Sequence, residues 1–101
     1  MAEIRWGFTD PVVDNVDIVQ DKQGLWVIKL KIHEKTPGSL LKKVVRAKLI
    51  DLGKFFDKQI AIETWNPAKS RKANTRAETT LALTTGRKEF PDRVKVVFEY
   101  A

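Results

Sequence analysis

The stretch Leu25-Trp26-Val27-Ile28-Lys29-Leu30-Lys31-Ile32-His33 decides the fold. Trp26, Ile28, Leu30 and Ile32 recur at every second residue, and Lys29 and Lys31 stand between them. Successive side chains of a strand point to opposite faces, so this alternation describes a strand with one face buried and one wet. Gly24, after Asp21-Lys22-Gln23, marks a turn into it. Upstream of that turn Val16 and Ile18 alternate with Asp17, and Val12 is in phase. Residues 12–19 and 25–33 therefore read as a β-hairpin.

The same period recurs towards the other end. Val94, Val96 and Phe98 alternate with Lys95, Val97 and Glu99 behind Pro91-Asp92, which predicts a strand. Thr79 to Thr85 alternates about Leu81 and Leu83 and stops at Gly86. Ile60 and Ile62 flank Ala61 in a short strand running to Trp65. Residues 39–52 admit two readings. Leu41, Val44, Val45, Leu49 and Leu52 share a helical face between Ser39 and Gly53, the residue types of an N-cap and a C′ position. Yet Val44 and Val45 are β-branched, and Val45, Ala47 and Leu49 alternate with Arg46 and Lys48. The strand reading, 43–51 turning through Gly53-Lys54 into 59–65, is preferred.

About six or seven short strands with turn signals between them give a mainly β domain, a single antiparallel β-sandwich. The alternative is an α+β domain with one helix at about 39–52. Over about residues 10–100 the strand number and spacing resemble an immunoglobulin-like or fibronectin-type-III-like sandwich. The paired cysteines of antibody domains are absent. Trp26 is the residue that fits the role of a core tryptophan in such a sandwich.

A length of 101 residues suits one domain. The expected organisation is an N-terminal arm or strand over 1–11 and one β domain over 12–101, with a basic loop at 66–78. The hydrophobic fraction of 43% and charged fraction of 32% are those of a globular chain. Net charge is +6, unevenly placed: residues 1–37 carry −1, 38–88 carry +8 and 89–101 carry −1. Such asymmetry favours an anionic partner, although a positive surface also keeps a protein dissolved. With no cysteine, disulfide and thiolate chemistry are ruled out. One Met, three Asn and three Gln among many charges fit a thermophile's composition. The first residues have no apolar leader pattern, and no apolar run approaches a membrane span. A cytoplasmic setting is the default expectation, and a virion component or processed extracellular protein would have the same features.

Catalytic patterns are missing. His33 is the one histidine, at a strand end beside Glu34 and Lys35. Neither Ser39 nor Ser70 sits in a nucleophile elbow. Asp10, Asp14, Asp17 and Asp21 lack the calcium-loop pattern and read as charges that guard a strand edge. The glycines are isolated, so no phosphate-cradling loop and no cofactor signature is present. The chain reads as a non-enzyme without a cofactor.

Two features remain. In the arm, Ile4, Trp6 and Phe8 alternate with Glu3, Arg5, Gly7 and Thr9, a strand pattern set off by Asp10-Pro11. Such a segment either covers an edge of its own sheet or adds as a strand to a neighbouring subunit. Two large aromatics make a good anchor for a partner groove, which inclines the reading to the second destination. In the polar stretch 66–78, Lys69, Arg71, Lys72 and Arg76 lie within eight residues, with Trp65 at its base. A cationic segment beside an aromatic can neutralise phosphates and stack bases. Lys42, Lys43, Arg46 and Lys48 form a second basic group, read as a solvated face. The sequence thus leads first to a structural or interaction module, assembling with itself or a protein partner through edge strands and the arm. Its alternative is a nucleic-acid-binding β domain using 66–78.

Overall fold

The alternation at 26–32 forms the middle strand of a sheet. The computed structural model describes residues 3–7 by their backbone pairing, and residues 10–70 and 75–101 in full. In chain order the strands are β1 (Glu3–Gly7), β2 (Val12–Gln20), β3 (Trp26–His33), β4 (Val45–Leu52), β5 (Asp57–Trp65), β6 (Glu78–Thr84) and β7 (Arg93–Tyr100), with one helical turn, α1 (Pro67–Ser70). One sheet runs β2-β3-β6 and the other β1-β7-β4-β5. Neighbours are antiparallel except β1 and β7, which run parallel. The fold is mainly β, and 39–52 holds the strand β4 rather than a helix. Its first part, which supplied the helical reading, is a run of turns closed by Ser39 N–H to the Thr36 carbonyl, Leu41 N–H to Gly38 and Lys43 N–H to Leu40.

The two inner faces close over one apolar core. Ile28, Leu30, Ile32, Leu81 and Leu83 come from one sheet, and Val45, Ala47, Leu49, Val94, Val96 and Phe98 from the other. Burying a large aliphatic side chain stabilises by about 1.5–3 kcal/mol, so these alternating positions hold the sheets together.

Local devices fix the register. The β2–β3 turn is tied by the Asp21 carboxylate, which accepts from the Gln23 and Leu25 amides at 2.8 and 3.0 Å. Gly24 takes φ +81° there, a conformation that side chains disfavour. Asp21 is thus a turn former rather than an edge charge. Further up β2 the register shifts between Val13 and Asn15. A bulge adds one residue and exchanges the faces beyond it. Val13 and Val16 consequently both pack on the core, which puts Val12 out of phase with Val16 and Ile18; Ile18 keeps the phase of Val16, opposite Ile28, and is 40% exposed on this edge strand.

Two tryptophans differ from their expected places. Trp26, expected in the core, is half-buried at the open end of the sandwich. There its indole N–H donates to the Lys88 carbonyl at 3.0 Å, and its ring meets Phe90 edge-on at 6.0 Å. Trp65, by contrast, is in the core, 5% exposed.

The sandwich has two distinct ends. At one, the β4–β5 hairpin turns between Leu52 and Asp57, and Asp51 pairs with Val94 near the start of β7. At the other, Val45 pairs with both Trp65 and Tyr100, and Val12 pairs with His33.

Candidate functional site

The arm supplies strand β1, and its partner is in its own chain. Glu3 to Gly7 pair in parallel with Arg93 to Val97, with Ile4 opposite Val94 and Trp6 opposite Val96. The first of the two destinations is therefore the one occupied. Phe8, the third residue of the expected anchor, lies outside the described residues.

Beyond β1 the chain passes to the other sheet through Asp10 and the buried Pro11, joined by a cis peptide. This joint is gripped from two sides. The Tyr100 hydroxyl, at the end of β7, donates to the Asp10 carbonyl at 2.9 Å. The Lys35 amide donates to the Asp10 carboxylate at 3.0 Å. Burial, and secondarily the Asp10 charge, push the Tyr100 hydroxyl above its ordinary pKa. Lys43 Nζ sits 4.2 Å above the Tyr100 ring, a cation–π contact.

Edges are where a β domain meets partners, because their N–H and C=O groups are unpaired. The β2 edge carries a bulge and the exposed Asp14 and Asp17, which discourages pairing. The β5 edge carries exposed Lys58 and Glu63. The β7 edge is guarded differently, by a strand from the other end of the sequence.

The basic segments are brought to the joint end by a residue the sequence reading passed over. Glu34 is fully buried. Its carboxylate accepts from the amides of Leu40 and Ala77, both at 2.8 Å, and of Gly38 at 3.4 Å. The Glu34 amide in turn donates to the Ala77 carbonyl at 2.9 Å. One carboxylate thus ties the loop bearing Lys42 and Lys43 to the segment bearing Arg76. The signal was present in the sequence: Ile28, Leu30, Ile32 and Glu34 share one phase, which places a carboxylate on the core face.

The expected nucleic-acid residues fare unevenly. Lys69, on α1, and Arg76 are exposed. Arg71 and Lys72 lie outside the described residues. Trp65 is not a stacking platform. Its ring is packed in the core and its indole N–H donates to Ser70 Oγ at 2.9 Å, leaving no open face for a base. Of the second basic group, Lys48 and Arg46 share Glu99 on the outer face of their sheet, at 2.6 and 3.9 Å.

His33 Nδ1 lies 2.6 Å from the carboxylate of Asp14, the residue at the β2 bulge. Among the described residues no cluster of three or more metal-binding side chains occurs, and no helix is long and apolar enough to cross a membrane. An open cleft of about 660 Å³ beside the β4–β5 tip is lined by Asp51, Lys54, Arg87, Glu89 and Arg93 among others, and Arg87 bridges Asp51 across it. Set against known families, curated proteins and solved structures, the chain matches none.

Proposed function

We propose that the protein is a non-catalytic structural module that assembles with copies of itself by exchanging β1. One observation carries this reading: the outer edge of β7 is covered by a parallel strand from the far end of the sequence, connected through a short joint. A ladder satisfied by a segment on a joint is satisfied equally well by the same segment of a neighbour, and strand exchange of this kind is a low-cost route to oligomers. The β2 and β5 edges are discouraged from pairing by charge or bulge, which favours the β7 edge as the place for assembly. The fold supports an immunoglobulin-like or fibronectin-type-III-like reading, in which β2-β3-β6 is one sheet and β7-β4-β5 the other, with β1 completing the latter.

Light scattering over rising protein concentration tests the proposal. Wild type forms a concentration-dependent oligomer, and a variant lacking residues 1–9 does not. The truncated protein instead captures a synthetic peptide of residues 1–9. A wild type that stays monomeric at high concentration in both low and high salt overturns it.

A second reading, binding of a polyanion such as nucleic acid at the joint end, is favoured by the Glu34 clamp. It places Lys42, Lys43 and Arg76 at one end of the molecule, together with Lys69 on α1. With Trp65 buried, such binding rests on phosphate contacts and is indifferent to sequence.

A further inference from the structure

We infer that the tip of the β4–β5 hairpin is an insertion element for the surface of a lipid bilayer. Phe55 and Phe56 stand next to each other at this tip, 88% and 86% exposed. Nothing in the fold calls for phenylalanine there. Both rings lie outside the core, and a hairpin turn is ordinarily built from Gly, Asn, Asp or Ser. Two adjacent phenylalanines left in water forgo the burial that makes such residues favourable.

The tip is shaped as well as apolar. The Gly53 amide donates to the Asp51 carbonyl at 3.1 Å, and the backbone then folds so closely that a Cβ at Gly53 would collide with the Phe56 carbonyl oxygen. Only glycine fits this turn, so the turn that presents the two rings is set by the backbone. Leu52 paired with Asp57 closes the hairpin directly beneath.

The form of the feature selects the occupant. Two side chains this exposed make a convex apolar projection. A protein partner would need a matching cavity for it, whereas the interfacial zone of a bilayer admits a projection without a prebuilt complement. Lys54 and Lys58, both exposed, flank the rings. Their long stems can lie along the apolar zone while the ammonium groups stay at the phosphates. Asp57 offsets one of these charges, so the rings carry most of the binding and anionic lipid adds to it modestly. The tip rises from the end at which β7 and β1 begin, where Ile4, Val94 and Asp51 are level across the sheet, and the Asp10 joint lies at the opposite end.

Vesicle sedimentation tests this with phosphatidylcholine alone and with phosphatidylcholine mixed with phosphatidylserine. Wild type partitions to both, about fivefold more strongly to the mixture, as expected for one net positive charge near the surface. Phe55→Ser/Phe56→Ser lowers partitioning about 100-fold on both vesicles. Its unfolding midpoint stays at the wild-type value, because neither ring is in the core. Phe55→Ser alone falls between the two. Absence of wild-type binding to either vesicle overturns the inference, as does a double variant that binds like wild type. A double variant that changes oligomer size, while wild type ignores vesicles, also overturns it by making the tip a contact between protein chains.

Discussion

Among single residues, Glu34 separates this domain from a simple two-faced sandwich. A carboxylate in the core is costly unless its oxygens are hydrogen-bonded. Here they hold amides from two segments distant in sequence, Leu40 and Ala77. Replacing it leaves these donors buried without an acceptor, at about 1–3 kcal/mol for each group. Glu34→Ala is therefore expected to destabilise by about 3–5 kcal/mol, comparable to the ~2–5 kcal/mol of a core truncation such as Ile28→Ala. Glu34→Gln, keeping one carbonyl acceptor, falls between it and wild type. Urea unfolding measures all three. A Glu34→Ala loss below about half a kilocalorie, less than one ordinary hydrogen bond, contradicts the clamp.

At the scale of elements, the joint between β1 and β2 governs whether the arm stays or leaves. Tyr100 holds its carbonyl and Lys35 its carboxylate. The Tyr100 bond is partly exposed, so Tyr100→Phe is expected to cost about 0.5 kcal/mol near neutral pH, the low end for a hydrogen bond. The pH dependence has a definite sign. Because the folded state raises the Tyr100 pKa, its contribution is complete below about pH 10, the unfolded value. That contribution is lost as pH rises through the higher folded value. The stability gap between wild type and Tyr100→Phe therefore narrows in strongly alkaline solution. Hydrogen exchange of the β7 amides opposite β1 is expected to quicken in the variant as the joint loosens. Unchanged exchange together with a pH-independent gap shows that the hydroxyl does not hold the joint.

For the whole molecule, the uneven charge becomes a polarity of ends. Lys42, Lys43, Lys69 and Arg76 lie towards the joint end, and the aromatic tip projects from the other. If the cationic end binds a polyanion, each phosphate contact contributes about −0.9 to the log–log salt slope on duplex DNA. Neutralising Lys69, Arg71, Lys72 and Arg76 together should then flatten that slope by up to ~3–4 units. Fluorescence anisotropy with labelled duplex DNA over a salt series reads it, and no binding even at low salt removes this second reading. The assembly reading is untouched by that outcome, because exchange of β1 involves the β7 edge and not these charges.

Much of the fold was legible because period-two alternation is a local property. Ile28, Leu30 and Ile32, Leu81 and Leu83, and Val94, Val96 and Phe98 each declare a buried face by their own spacing, and each face is buried. The same local rule failed in β2, where one extra residue at the bulge put Val12 out of phase with Val16 and Ile18. It could not rank Trp26 against Trp65, since depth in a sandwich depends on where along the strand the opposite sheet ends. Nor could it show that Glu34 joins residues 40 and 77, or that Gly53 brings Phe55 and Phe56 to an exposed tip. The sequence by itself determined which residues face inward along β3, β4, β6 and β7, because alternation within an unbroken strand is set by backbone geometry alone. Which strand β1 covers, which tryptophan is enclosed and which basic segments share an end were decided only by the tertiary structure. Those are pairings between residues far apart in the chain, and their energy exists only once the two sheets have closed.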